Sequence, residues 1–233
     1  MGKLHYFRNT AAAGDSMKLV LAESDYKGID VGNYARPEIF DVNGDQLPDL
    51  IIGRNIGNLQ YFENTGTTTN ANFSAVATNA NFGEVNVKPN LFYGESTPRV
   101  AYLTYSSQPY LLVGNVLGNI AVFELDASKR YSGVFNRVDS VYSGIDVGEF
   151  ATIALADIDS DGLLEMVVGS SKGGLNFFND SGSVGVNEQE DVSGIAIKAY
   201  PNPSAGNWNI EINNLASNVE VNVTVFDILG QEV

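Results

Sequence analysis

Two stretches of this 233-residue chain carry oxygen-bearing side chains at alternate positions, broken only by a leucine at the seventh. They are Asp41-Val42-Asn43-Gly44-Asp45-Gln46-Leu47-Pro48-Asp49 and Asp157-Ile158-Asp159-Ser160-Asp161-Gly162-Leu163-Leu164-Glu165. Both place acids or an amide at positions 1, 3, 5 and 9. A calcium ion takes several hard oxygen ligands at once, and a tight loop with one at every second residue aims them at a common point. Carboxylates crowded this closely would repel one another without a cation. The candidate side-chain ligands are therefore Asp41, Asn43, Asp45 and Asp49 in the first loop, and Asp157, Asp159, Asp161 and Glu165 in the second. The position-7 carbonyls of Leu47 and Leu163 would add one ligand each. The expected cofactor is Ca2+.

Other uses of such loops fail on neighbouring residues. An EF-hand needs a bidentate acid at position 12, where this chain has Ile52 and Val168. A dockerin loop is followed by a helix, whereas β-branched runs and glycine turns follow here. Paired glycosidase carboxylates must flank a substrate bond, and acids of one loop aimed at one spot read better as ligands. Gly169-Ser170-Ser171-Lys172-Gly173 spells the nucleophile-elbow pattern, but no helix follows, and the equivalent positions hold Asn55 and Val116. The only histidine, His5, sits where the repeats have Gln60, Ala121 and Asn176, so a Ser-His-Asp triad has no basis. Trp208 reads as core. No catalytic set emerges, and the expectation is a non-enzymatic protein.

The loops recur because the chain repeats. Gly53–Phe62 (GRNIGNLQYF), Gly114–Phe123 (GNVLGNIAVF) and Gly169–Phe178 (GSSKGGLNFF) share one pattern of glycines and apolar residues. Their second glycines, Gly57, Gly118 and Gly173, are 61 and 55 residues apart, and Gly2-Lys3-Leu4-His5-Tyr6-Phe7 copies the tail of the pattern 55 residues before Gly57. Gly28-Ile29-Asp30-Val31-Gly32 recurs as Gly144-Ile145-Asp146-Val147-Gly148 in the same register. Each unit reads as a strand before the Asp-rich loop (Pro37–Phe40, Thr152–Ala156) and a strand after it (Leu50–Ile52, Met166–Val168). A hairpin leads to a third strand (Leu59–Asn64, Leu175–Asn179), and a variable fourth completes the unit. The third strand has apolar residues on both faces, so both faces of its sheet are covered. Four-stranded sheets stacked radially do this, which makes the expected fold all-β, a partial β-propeller. The middle unit has no acid between Tyr102 and Tyr110 and should fold without metal. Three units and a leading tail are too few to close a ring, so the sequence reads as a stretch of a longer protein.

Composition agrees. Gly is abundant at 24 residues, and apolar bursts are short and set among Gly, Asn, Asp and Ser. A net charge of −15 opposes binding to nucleic acid or unaided docking on an anionic membrane, and suits a protein that holds divalent cations. With no cysteine there is no disulfide framework, and no apolar run is long enough for a transmembrane segment.

DVNGDQLPDLIIG (Asp41–Gly53) and DIDSDGLLEMVVG (Asp157–Gly169) resemble the FG-GAP/VCBS repeat family, whose blades are like those of the integrin α-chain propeller. The resemblance covers residues 1–181 and implies calcium at the loop acids. It departs from the family in lacking a Gly-Ala-Pro motif and in having Gln46 where the second loop has Gly162.

The texture changes after Asn179. Residues 182–194 read as a linker, and Ile195–Tyr200, Asn207–Ile212 and Val219–Phe226 as strands. KAYPNPSAGNWNIEI followed by VTVFDILGQEV resembles the N-terminal part of the type IX secretion system sorting domain of Bacteroidetes, over 195–233. That domain is an Ig-like β-sandwich. The resemblance implies export by the type IX machinery, with release or anchoring at the outer surface. Asp15-Ser16-Met17 and Asp139-Ser140-Val141 are similar to the O-glycosylation motif of such bacteria. The expected role is a secreted or cell-surface adhesion module that contacts a glycan or protein ligand through one propeller rim. The alternative is an accessory region of a secreted hydrolase or lyase.

Overall fold

The computed structural model describes residues 2–89, 93–103, 106–160 and 162–179, and the backbone of 196–200 and 209–213. The chain divides into two compact units, Met1–Gly182 and Ser183–Val233. Fourteen strands and four short 3-10 turns are described, with no α-helix among these residues. The protein is all-β.

The first unit holds four antiparallel sheets in chain order. Strands β1 (Tyr6–Asn9) and β2 (Leu19–Glu23) form a pair. Strands β3 (Arg36–Phe40), β4 (Asp49–Gly53) and β5 (Leu59–Phe62) form the second sheet. The third has four strands, β6 (Thr97–Ala101), β7 (Tyr110–Gly114), β8 (Ile120–Glu124) and β9 (Arg137–Asp139). Strands β10 (Thr152–Ala156), β11 (Glu165–Gly169) and β12 (Leu175–Phe178) form the fourth. Each three-strand core is a meander with one register: Gly53 pairs with Leu59, Gly114 with Ile120 and Gly169 with Leu175. The hairpins between second and third strands close on left-handed glycines, Gly57 (φ 87°), Gly118 (φ 87°) and Gly173 (φ 92°), as a three-residue loop requires. In the second unit, β13 (Ala196–Tyr200) pairs with β14 (Asn209–Asn213), giving the first two tail strands slightly shifted bounds. The expected linker and the third tail strand lie outside the described residues.

Both faces of the second and third sheets are covered, as the third-strand pattern requires, whereas the outer face of the fourth is exposed at Leu175 and Phe177. Ile51, Leu59 and Tyr61 pack from one sheet against Leu111, Val113, Ala121 and Phe123 of the next. Leu112, Ile120 and Val122 then meet Ile153, Met166 and Val168. Leu50, Ile52 and Phe62 face backward onto Ile29 and Val31. First strands lie side by side, β3 with β6 and β6 with β10. This is the arrangement of successive propeller blades.

The fourth-strand region holds a repeat that the letters hide. Ile29, Val85 and Ile145 are each buried just after a 3-10 turn whose middle residue is left-handed, Lys27, Gly83 or Ser143. Lys3–Asp30, Asn58–Asn86 and Asn119–Asp146 bridges set all three in one register. Val85-Asn86-Val87 is therefore the middle copy of Ile-Asp-Val, stripped of its flanking glycines.

Candidate functional site

Both Asp-rich loops join a first strand to a second, at the same corner of their sheets. Positions 4 and 6 are left-handed in both, as Gly44 (φ 77°) and Gln46 (φ 68°), and as Ser160 (φ 66°) and Gly162 (φ 89°). Each loop thus has one glycine at one of two strained positions, and Gln46 follows the turn despite its side chain. Because a non-glycine residue pays for this conformation, Gln46→Gly is expected to raise stability by about 0.5–1 kcal/mol in urea titrations without metal.

The oxygens of the first loop are taken up by the loop itself. Asp41 Oδ1 accepts from the Gly44 and Asp45 amides (2.8 and 3.2 Å), and Oδ2 from Gln46 (2.8 Å). Asn43 Oδ1 accepts from the Asp45 amide, and Asp45 Oδ1 from the Leu47 amide. Asp49 is fully buried and is held by three donors: the Val42 amide (3.1 Å), the Tyr61 hydroxyl (2.9 Å) and the Asn64 amide (2.8 Å). Desolvation nonetheless outweighs these bonds and pushes its carboxyl above the usual carboxylate range. Burial, and then the Asp49 charge, push the Tyr61 phenol up as well.

The second loop has the same frame and a different ending. Gly162 N donates to Asp157 Oδ2 (3.1 Å), as Gln46 does to Asp41. Ile158 N donates to Glu165 Oε2 (2.6 Å), as Val42 does to Asp49. The register puts Phe177 where the first sheet has Tyr61, so no phenol reaches the position-9 acid. Glu165 is 1% exposed, and its Oε1 is buried without a hydrogen-bond partner. Asp157, Asp159 and Glu165 each bring a carboxylate oxygen within 4.8 Å of the other two, a convergence found here alone among the described residues. Asp161 lies outside the described residues. Leu163 and Leu47 occupy position 7 of their loops and are half-buried.

The middle unit has no acid in the corresponding loop, and Tyr110 stands at its position 9, in register with Glu124 of β8. The nucleophile-like Ser171 lies in the hairpin turn after β11, with its hydroxyl 3.4 Å from Glu149 Oε2, and His5 is exposed. No helix of the described residues is long and apolar enough to cross a membrane.

The opposite ends of the same strands build a second feature that the sequence reading did not find. Residues before β3, β6 and β10 and the hairpins after β4, β7 and β11 line an open cleft of about 1220 Å³. Tyr34, Tyr93, Phe150, Arg36 and Glu95 are among its walls. Tyr34, Glu95 and Phe150 each stand two residues before the start of a first strand, but they share no residue type that would mark them as one position along the sequence.

Residues 198–233 match the model of a secretion system C-terminal sorting domain. No match to the chain is found among curated proteins or among solved structures. With this tail the protein is an export cargo of the type IX secretion system, secreted or held at the cell surface. Its expected interaction with that machinery follows from the same residues.

Proposed function

We propose that residues 1–181 are blades of an FG-GAP/VCBS-type propeller that binds calcium and serves outside the cell as a non-catalytic binding and adhesion module. The observation that carries the metal reading is the buried, unpartnered Oε1 of Glu165 beside the carboxylates of Asp157 and Asp159. A buried carboxylate oxygen with no donor is costly, and a divalent cation would satisfy it while offsetting the charge of the neighbouring acids. Asp157, Asp159, Asp161 and Glu165 are the side-chain ligands of this reading, with the Leu163 carbonyl. The first loop offers Asp41, Asn43, Asp45, Asp49 and the Leu47 carbonyl. It is the weaker site, because its own amides and Tyr61 already satisfy much of that set. A net charge of −15 favours cation uptake at both.

Extracellular sites of this type have Kd values of about 10⁻⁴–10⁻³ M, so millimolar calcium stabilises by about 1–2 kcal/mol. Thermal melting of chelator-treated protein is expected to rise by a few degrees on adding calcium. Glu165→Gln should remove most of that rise, and Asp45→Asn should leave most of it. A melting curve that ignores calcium after verified metal removal overturns the metal reading.

A further inference from the structure

We propose that the cleft at the end of the sheets remote from the Asp-rich loops is a binding site for a neutral saccharide. The proposal rests on the reading of the chain as a binding module, and it names the surface and the ligand class.

The cleft is built by the repeat. Asn55 N donates to Asn33 O, Val116 N to Gly94 O and Ser171 N to Glu149 O, so every hairpin is tied to the segment leading into its own first strand. Gly94 N and Glu95 N then donate to Asn55 O, and Phe150 N donates to Val116 O, tying the first two hairpins to the next sheet. The walls are a continuous circuit of backbone hydrogen bonds, which holds the side chains in fixed positions before any ligand arrives.

At one point the circuit is strained in the same way three times. Tyr34 (φ 57°), Glu95 (φ 55°) and Phe150 (φ 55°) occupy equivalent positions and are all left-handed. Glycine would meet this conformation without strain, yet each position carries a large side chain on the cleft. Tyr34 is 60% exposed and Tyr93 is 57% exposed, an unusual display of aromatic surface within one concave site. The Arg36 guanidinium lies 5.8 Å from the Tyr34 ring centroid and pairs with Glu95 at 2.6 Å.

These features select the ligand. Exposed rings stack on the apolar C–H faces of sugars, while Asn33, Asn55 and Thr152 suit hydroxyl groups that donate and accept together. The cationic groups of the cleft are already balanced, Arg36 by Glu95 and Lys3 by Asp25. No unpaired charge is left to recognise an ionic ligand, and the net charge of −15 repels a polyanion. A volume of about 1220 Å³ accommodates several sugar rings.

The test is affinity electrophoresis of the full chain, in calcium, through gels containing mannan, xylan, mixed-linkage β-glucan or starch, with polygalacturonate as the anionic comparison. Retardation by at least one neutral polysaccharide is expected, and Tyr34→Gly combined with Tyr93→Ala should weaken it by about tenfold or more. Tyr34→Gly alone should weaken binding while the melting temperature holds or rises, because it relieves the left-handed strain. A merely structural tyrosine would lower the melting temperature instead. The saccharide proposal is overturned if no neutral polysaccharide retards the chain, if only polygalacturonate does, or if the double variant is retarded like the parent. Calcium-dependent melting is read on the same samples. A calcium response without saccharide binding overturns this proposal alone, and saccharide binding without a calcium response overturns only the metal reading.

Discussion

Gly53→Ala is expected to lower stability by about 3 kcal/mol, while the same change at Gly169 alters it by no more than about 0.5 kcal/mol. The two glycines are equivalent in sequence and register, so the contrast isolates what lies against them. A methyl group on Gly53 would overlap the Ser96 carbonyl oxygen and come within 2.7 Å of Pro98 Cδ. On Gly114 it would overlap the Ala151 carbonyl oxygen and lie 3.2 Å from Ala151 Cβ. Both glycines let one sheet approach the backbone of the next, where Ser96 N donates to Arg54 O and Ala151 N to Asn115 O. A methyl on Gly169 meets nothing nearer than 3.8 Å. Relief of the overlap at Gly53 must come from strand backbone, which yields only with loss of hydrogen bonds and packing. Chemical denaturation of the three alanine variants measures this directly. Equal losses at all three positions would show that the glycines serve hairpin geometry within a blade rather than the seam between blades.

The same contrast runs through the third-strand side chains. Leu59 and Ile120 are fully buried, whereas Leu175 at the matching position is 76% exposed, and Phe177 is 38% exposed against 0% for Tyr61. The residues of the last sheet are of the type that packs between blades. In the structure this face is open to solvent.

Much of this architecture was legible in the sequence because the physical demands repeat. Two-sided burial of third strands shows as an aliphatic residue followed by two large apolar residues, and close approach of neighbouring sheets shows as glycine. What lay hidden depended on contacts between residues well separated along the chain. Val85-Asn86-Val87 has the burial and bridge of the Ile-Asp-Val copies, but the loss of its glycines removed the visible marker. The two Asp-rich loops look alike along the chain. Their difference arises 12 residues after the position-9 acid, where Tyr61 gives the first loop a hydroxyl and Phe177 denies one to the second. Tyr34, Glu95 and Phe150 share no chemistry, so only the backbone angle reveals them as one position.

The innermost strands hold another such pair, and its loss carries a comparably large effect. Glu38 on β3 is 7% exposed, and the Arg99 guanidinium on β6 pairs with its Oε2. Val100 N donates to Glu38 Oε1 at 2.9 Å, and Arg99 Nε donates to the Ile153 carbonyl of β10 at 3.0 Å. One arginine therefore ties three first strands together where the sheets converge. Arg99→Met keeps the length of the side chain and removes the charge, leaving the Glu38 carboxylate buried with a single amide donor and the Ile153 carbonyl without its guanidinium. The expected cost is about 3 kcal/mol, most of it the penalty of an unpaired buried charge. Replacing both partners, with Glu38→Leu added to Arg99→Met, should recover about half or more of that loss, because it removes the charge that the single variant strands. Urea titration of the two single variants and the double completes the cycle. If the double variant falls by the sum of the singles, the two side chains act independently, and the convergence of the blades is held by backbone and apolar packing alone.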